Sequence, residues 1–128
     1  MHVDYTGLRV TRLTRSVNFF REALGVTELR RGRMADGGQW VLLEDPTSHQ
    51  RIELNWYPRR SRFATPFTAG EGLDHIGVRV QNLRTAGRRL AKAGAHRVHT
   101  IRWRGKVALE YWEGPDGIWV ELILDPAD

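Results

Sequence analysis

The sequence predicts an α+β fold in which one βαβββ module occurs twice along the chain. Two observations lead to this prediction: three segments of the first half match the second half in the same order, and both halves carry the same succession of strand and helix signals. The 128 residues, 41% of them hydrophobic, are enough for a single domain (1–128) with a hydrophobic core.

The repeat is visible as residue-by-residue matches. Residues 5–10 (YTGLRV) match residues 75–80 (HIGVRV) at an offset of 70. Residues 24–25 (LG) lie over residues 93–94 (AG) at an offset of 69, and near the end of each half residues 51–54 (RIEL) match residues 119–122 (WVEL) at an offset of 68. A drift of two positions is what small changes in loop length produce, so the matches indicate a duplicated unit.

Each half begins with a short β-prone segment that leads into an amphipathic helix. We expect the first helix to be capped by Thr14 and to end at Gly25, and the second to be capped by Asn82 and to end at Gly94. Three further strands follow each helix, at 26–31, 39–44 and 50–56, and at 96–103, 106–112 and 117–124. Module 1 then spans about 4–57, a linker covers 58–72, and module 2 spans about 73–124.

Alternation along the strands separates an aliphatic face from a polar face. The aliphatic face must cover the helix, because nothing else in a module can bury the apolar stripe of that helix. The opposite face, which would line the concavity between two curved sheets, carries Tyr5, Glu53, His75 and Glu121. A glutamate among aliphatic neighbours is costly unless it is paired, hydrogen-bonded or bound to a metal. The four residues therefore form a ligand site, or the glutamates pair with Arg9, Arg51 or Arg79.

Composition and charge restrict the partners. The net charge is +5, with 20 Lys and Arg against 15 Asp and Glu, but the cations are scattered and no nucleic-acid motif is present. We therefore favour an anionic small molecule over nucleic acid, because the arginine fork binds oxyanions well. No segment has the roughly 18 apolar residues of a membrane span, and no signal peptide is visible, so we expect a cytoplasmic protein without a membrane partner. The absence of cysteine excludes disulfides and thiolate ligands.

Several motifs along nearly the whole chain resemble one known family. They are residues 8–10 (LRV), 13–20 (LTRSVNFF), 24–25 (LG), 51–54 (RIEL), 73–78 (LDHIGV) and 114–122 (GPDGIWVEL). In these segments the sequence resembles the vicinal oxygen chelate superfamily, which includes glyoxalase I, bleomycin-resistance proteins, fosfomycin-resistance enzymes and extradiol dioxygenases. The resemblance implies that the two modules form an eight-stranded, open, barrel-like cup around a divalent metal, and that the protein is a homodimer.

The resemblance also implies a set of metal ligands. In glyoxalase I-like members, a His or Gln on the first strand, a Glu closing the first module, a His opening the second and a Glu closing it hold the metal. Glu53, His75 and Glu121 match three of these places, and Tyr5 stands at the fourth. One nitrogen and two carboxylates suit Zn, Ni, Co, Mn or Fe, and a metal-free protein is the alternative. Tyr5 would be a ligand, a hydrogen-bond donor to substrate or a packing residue.

The function implied by the resemblance is a glyoxalase-like enzyme, with lactoylglutathione lyase-like or isomerase-like chemistry. The metal would chelate two substrate oxygens, and Glu121 or Glu53 would transfer a proton. The alternatives are a metal-free binding protein of the bleomycin-resistance type and a dioxygenase-like member. Candidate substrate-binding residues are Tyr5, Arg9, Arg79, Trp119 and Trp56, with Trp112 a further candidate for the pocket or for packing within the sheets.

Overall fold

Each half of the chain folds into one four-stranded sheet and one helix, which confirms the predicted α+β class and the duplicated βαβββ module. A computed structural model describes residues 2–71 and 73–125. The chain divides into two compact units, Met1–Thr68 (unit 1) and Ala69–Asp128 (unit 2).

Unit 1 contains β1 (Thr6–Arg9), α1 (Leu13–Leu24), β2 (Thr27–Arg33), β3 (Gln39–Glu44) and β4 (Arg51–Trp56). Its strands lie in the order β1-β4-β3-β2, with β1 parallel to β4 and the other pairs antiparallel. The segment predicted as a linker continues unit 1 up to Thr68 and packs on it: Ser61 donates a hydrogen bond to Asp36, and the Phe63 ring stacks on Tyr57.

Unit 2 repeats this arrangement with β5 (His75–Val80), α2 (Leu83–Lys92), β6 (His96–Trp103), β7 (Lys106–Glu113) and β8 (Trp119–Leu124). Its sheet order is β5-β8-β7-β6, and β5 is parallel to β8. Strand β8 begins two residues later than predicted, because Pro115–Gly117 form a short 3-10 turn in which Asp116 and Gly117 have positive φ angles.

The helix ends agree with the sequence in three of four cases. Asn82 caps α2 by accepting a hydrogen bond from the Thr85 N–H at 3.0 Å, and Gly25 ends α1 with a left-handed φ of 71°. Gly94 has a φ of 105° just beyond the end of α2. The prediction of Thr14 as the cap of α1 is wrong, because the first helical hydrogen bond runs from Ser16 N–H to the Arg12 carbonyl and already encloses Thr14.

The aliphatic faces of the two sheets form the cores of the units, as the alternation predicts. Helix α1 packs against β3 and β4, and α2 packs against β6, β7 and β8. Leu54 of β4 and Val120 of β8 are fully buried in these equivalent layers. In the described parts of the chain, no helix has the length and apolar character needed to cross a membrane.

Candidate functional site

The repeat gives the two predicted glutamates the same position in their sheets. Glu53 lies beside Gly7 in the β1–β4 pair, and Glu121 lies beside Gly77 in the β5–β8 pair. Glu53 on β4 lies next to buried Leu54, and Glu121 on β8 lies between buried Val120 and Leu122. Because these aliphatic residues face the helix, both carboxylates extend from the other face of the sheet. The register therefore creates one candidate half-site in each unit.

In unit 2, four polar side chains form a connected cluster. His75 Nε2 lies 3.2 Å from Glu121 Oε2, and His75 Nδ1 lies 2.7 Å from Asp74 Oδ2. The Tyr111 hydroxyl donates to Glu121 Oε1 at 3.3 Å, because Tyr111 is the cross-strand partner of Glu121 on β7. Burial, with the added negative charge of Glu121, raises the pKa of Tyr111 and so keeps its hydroxyl a donor. We call Asp74, His75, Tyr111 and Glu121 the unit 2 cluster.

Aromatic rings surround the unit 2 cluster on the same face. The Tyr111 ring meets His75 edge-on with centroids 5.7 Å apart, and it contacts Trp119 at 5.8 Å. His99 of β6, the cross-strand neighbour of Tyr111, lies 5.8 Å from the Trp119 ring. Trp119, a predicted substrate-binding residue, is thus part of the wall beside His75 and Glu121.

The unit 2 cluster has the donor chemistry of half a metal site. An imidazole nitrogen and a carboxylate oxygen that bind one ion at about 2.0–2.2 Å each are about 3 Å apart, and His75 Nε2 and Glu121 Oε2 have nearly this separation. Asp74 occupies Nδ1 of the ring, the usual arrangement behind a metal-binding histidine, where a carboxylate leaves Nε2 as the ligand atom. Within neither unit do three His, Asp or Glu side chains of residues 2–71 and 73–125 gather as a complete metal site.

In unit 1, Glu53 has a different environment. Its cross-strand partner on β3 is Leu42, which is buried, and Arg30 follows on β2. Burial raises the pKa of Glu53, and the charge of Arg30 offsets only part of this increase. No side chain in the described parts of unit 1 donates a hydrogen bond to the Glu53 carboxylate. Glu53 is therefore a half-buried carboxylate with an elevated pKa and no side-chain hydrogen-bond donor among the described residues of unit 1.

Tyr5 precedes the first strand instead of lying within it. Strand β1 begins at Thr6, one residue later than predicted, and the Tyr5 side chain is 44% exposed. Its counterpart His75, in contrast, is the first residue of β5 and lies within the unit 2 cluster. The position equivalent to His75 in unit 1 therefore lies at the margin of the sheet.

The predicted substrate-binding residues Arg9 and Trp56 meet in unit 1 at a cavity of about 310 Å³. Tyr57 and Arg59 complete much of its lining. The Arg9 guanidinium is fixed there by a hydrogen bond to the Thr65 carbonyl and by its position 5.9 Å from the centre of the Tyr57 ring. Burial and the charge of Glu53 raise the pKa of Tyr57, one of the residues that line the cavity. The lining thus includes two arginines and two aromatic residues.

The alternative that the glutamates pair with arginines on their own face is wrong. Arg51 bonds to Glu44 at 2.8 Å and to Asp4 at 3.2 Å. Arg79, predicted to bind substrate, lies 3.5 Å from Asp125 and is largely exposed. Arg51 and Arg79 have carboxylate partners at the strand ends, and Arg9 is held by Thr65. Among the described residues, none of the three arginines therefore pairs with Glu53 or Glu121.

The tryptophans separate into two groups. Trp119 lies beside the unit 2 cluster and Trp56 lines the unit 1 cavity, whereas Trp112 is buried on the opposite face of β7. The Trp112 ring packs on Gly87 of α2 and its indole N–H donates to Glu110 at 2.9 Å. Trp112 is thus a core residue, as its packing alternative predicts.

Sequence reasoning missed Tyr111, Asp74 and His99. Tyr111 could have been found from the repeat, because it corresponds to Leu42 and so lies across from the second glutamate. Asp74 directly precedes His75, and this adjacency is a usable signal for a carboxylate that orients a ligand histidine. The place of His99 depends on an irregular register in β6, which the sequence does not reveal.

Comparison with known proteins adds two findings. A family model described as Glyoxalase/Bleomycin resistance protein/Dioxygenase superfamily matches residues 2–122. The lactoylglutathione lyase of Neisseria meningitidis serogroup A is 29% identical over 130 residues, which cover 96% of this chain and 90% of that protein.

Solved structures with the same fold include proteins with different described roles. A glyoxalase family protein from Bacillus cereus matches with a TM-score of 0.78 and 22% identity, over 99% of this chain and 95% of that one. The antibiotic-binding protein TnmS3 from Streptomyces sp. CB03234 matches with a TM-score of 0.70 and 16% identity, over 98% and 97% of the two chains. At these identities the similarity establishes the shared fold.

Proposed function

Because this chain belongs to the Glyoxalase/Bleomycin resistance protein/Dioxygenase superfamily, we propose that it is a metal-dependent enzyme with lyase or isomerase chemistry on a small anionic substrate. Members of the superfamily bind small-molecule substrates, commonly use a divalent metal and often act as dimers. The single observation that carries the proposal is the unit 2 cluster, in which His75 and Glu121 lie at ligand spacing with Asp74 behind the imidazole.

The proposed ligands are His75 and Glu121 of unit 2 and Glu53 of unit 1, the set that the family resemblance implies. Their one nitrogen and two carboxylates suit Zn, Ni, Co, Mn or Fe. We assign Tyr5 to substrate contact and not to the metal, because it lies outside β1 and is 44% exposed. When bound, the metal would supply positive charge that stabilises an enolate or oxyanion as it develops.

Glu53 is the better candidate for proton transfer, and Glu121 for a fixed ligand. A general base works best when its pKa lies near the operating pH, and burial moves the pKa of Glu53 upward in that direction. In contrast, both oxygens of Glu121 already have partners in Tyr111 and His75. Glu53 would take a proton from the carbon beside the substrate carbonyl and return it to the neighbouring position.

Arg9 and Arg59 support the proposal that the substrate is anionic. Both line the unit 1 cavity, and a guanidinium binds a carboxylate or phosphonate through two parallel hydrogen bonds. Trp56 and Tyr57 of the same cavity offer apolar surface to the rest of the molecule. Arg79 and Trp119 extend from the corresponding face of unit 2 and complete the proposed substrate-binding set.

Metal analysis of the purified protein tests the proposal. We expect stoichiometric divalent metal in the wild type and its loss in both His75→Ala and Glu121→Ala. Glu113→Gln is a matched control, because Glu113 lies on the same sheet 3.5 Å from His96 and outside the unit 2 cluster. Isomerisation of the methylglyoxal–glutathione hemithioacetal should disappear in Glu53→Gln while metal remains, because the Gln amide oxygen can still bind a metal but cannot take up the proton. Metal content that is unchanged in both alanine variants would contradict the proposed site.

A metal-free binding protein is the second candidate. Tyr5 in place of the first family ligand favours it, as does the fold shared with the antibiotic-binding protein TnmS3. In that case the metal-free protein would bind an anionic ligand, and Arg9→Ala would abolish binding while His75→Ala and Glu121→Ala would leave it unchanged.

A further inference from the structure

We propose that Tyr111 is a positioning residue whose hydroxyl holds one oxygen of Glu121 and so leaves only the other oxygen to act as a metal ligand beside His75. This inference rests on the proposed function, because it assigns a role to Tyr111 within the same metal site. It is carried by the geometry of three side chains of unit 2.

The two oxygens of Glu121 have different partners. Oε1 accepts the hydrogen bond from the Tyr111 hydroxyl at 3.3 Å, and Oε2 lies 3.2 Å from His75 Nε2. A carboxylate oxygen can only accept a hydrogen bond, so the phenol hydroxyl is the donor in this pair. The carboxylate is therefore turned so that a single oxygen points toward the nitrogen that Asp74 leaves available.

The position of the hydroxyl is fixed by the ring that bears it. Tyr111 lies directly across from Glu121 in the β7–β8 ladder. Its ring also contacts His75 edge-on and Trp119 at an angle of 52°. These contacts limit displacement of the whole side chain, so the hydroxyl restrains the carboxylate and does not merely follow it.

The other module shows that the fold itself does not require this hydroxyl. Leu42 occupies the position of Tyr111 in unit 1, across from Glu53, and the sheet there has the same order and register. Leucine fills the space without a polar atom and leaves Glu53 without a donor. The phenol oxygen therefore serves Glu121, and not the packing of the sheet.

Titration of the metal-free protein with Co²⁺, followed by visible absorption and calorimetry, tests this role. We expect Tyr111→Phe to weaken Co²⁺ binding by about 10- to 100-fold, the usual cost of losing a group that orients a ligand. Trp112→Phe is the matched control, because it removes the next donor along the same strand, which serves Glu110 on the opposite face. We expect that variant to bind Co²⁺ like the wild type.

A double-mutant cycle separates positioning from a general structural effect. In a Glu121→Gln background, Tyr111→Phe should cause no further loss of Co²⁺ affinity, because the group that it positions is no longer a carboxylate ligand. Equal losses in both backgrounds would overturn the inference, and so would wild-type affinity in Tyr111→Phe. Wild-type protein that binds no Co²⁺ would instead overturn the proposed metal dependence, and the role of Tyr111 with it.

Discussion

Glu53 and Glu121 occupy equivalent places in two copies of the same sheet, yet their partners across the sheet differ in chemistry. Glu53 faces Leu42 and then Arg30, whereas Glu121 faces Tyr111 and then His99. On the other side, the partners Gly7 and Gly77 are the same. The backbone register has thus been kept while the chemistry has diverged.

The difference divides the site chemistry between the two units. Unit 2 contains a connected polar cluster in which His75, Tyr111 and Asp74 fix the carboxylate and the imidazole. Unit 1 contains a carboxylate with no fixed partner among its described residues, together with the cavity lined by Arg9. In the proposed function, unit 2 would therefore orient the metal ligands, and unit 1 would transfer the proton and bind the anionic group.

The helix-facing sides of the two sheets differ in a way that conserves volume. Val17 of α1 corresponds to Gly87 of α2, and Leu43 of β3 corresponds to Trp112 of β7. At these two positions unit 1 has two side chains of medium size, whereas unit 2 has a glycine and a large indole ring. A Cβ atom at Gly87 would lie 2.8 Å from the Trp112 ring, so the large ring at position 112 requires glycine at position 87.

The largest expected effect comes from placing a larger residue at position 87 while Trp112 is retained. Gly87→Val places the unit 1 side chain against Trp112 and should lower the free energy of unfolding by about 1–3 kcal/mol, measured by urea denaturation. Trp112→Leu in the same chain should recover much of this loss, because it restores the unit 1 pair.

The recovery should be incomplete in the double variant, because Trp112→Leu removes the indole donor from buried Glu110, which then keeps only Arg97 at 3.5 Å. Adding Glu110→Val, the residue of the equivalent unit 1 position Val41, should improve stability further. Additive losses for Gly87→Val and Trp112→Leu would show that the two positions are independent.

Much of this fold follows from local sequence patterns. The predicted bounds of β3, β5 and β6 agree with the structure, because turn residues or helix ends interrupt the alternation on both sides. The prediction of Thr14 as a helix cap is wrong, because α1 already begins at Leu13 and Arg12 occupies the cap position. The predicted start of β8 is two residues too early, because residues with positive φ angles form a turn there.

The candidate site was predictable only as far as single strands define it. Alternation along β4 and β8 places Glu53 and Glu121 on the face away from the helices, as the structure has it. The partners of these glutamates depend on which residue lies across from them in the neighbouring strand. The register pairs Tyr111 with Glu121, while Arg51 and Arg79 contact carboxylates at the strand ends. No pattern within a single strand could show these contacts.

A smaller effect should distinguish the two helix starts. Asn82 accepts a hydrogen bond from the Thr85 N–H at 3.0 Å, whereas Arg12 at the start of α1 makes no side-chain cap. Asn82→Ala should therefore cost about 1 kcal/mol of unfolding free energy, and Arg12→Ala should cost nothing through capping. Equal losses in urea denaturation would mean that the Asn82 hydrogen bond contributes no stability of its own.

The smallest expected effect compares the two glutamates directly through the pH dependence of stability. Burial raises the pKa of Glu53 above its ordinary value of 4.5, so the folded protein holds that proton more tightly than the unfolded chain does. As the pH rises through the pKa of the folded state, ionisation of Glu53 therefore lowers the free energy of unfolding. Below the ordinary pKa the carboxyl group is protonated and this loss of stability is absent. Glu53→Gln should raise the melting temperature at pH 7 by roughly 1–3 °C. The increase should vanish near pH 4, where wild-type Glu53 is itself protonated.

Glu121→Gln should instead lower the melting temperature at pH 7, because it weakens contacts to His75 and Tyr111 that Glu53 lacks. If both variants shift the melting temperature in the same direction, the two glutamates do not differ in the way their neighbours predict.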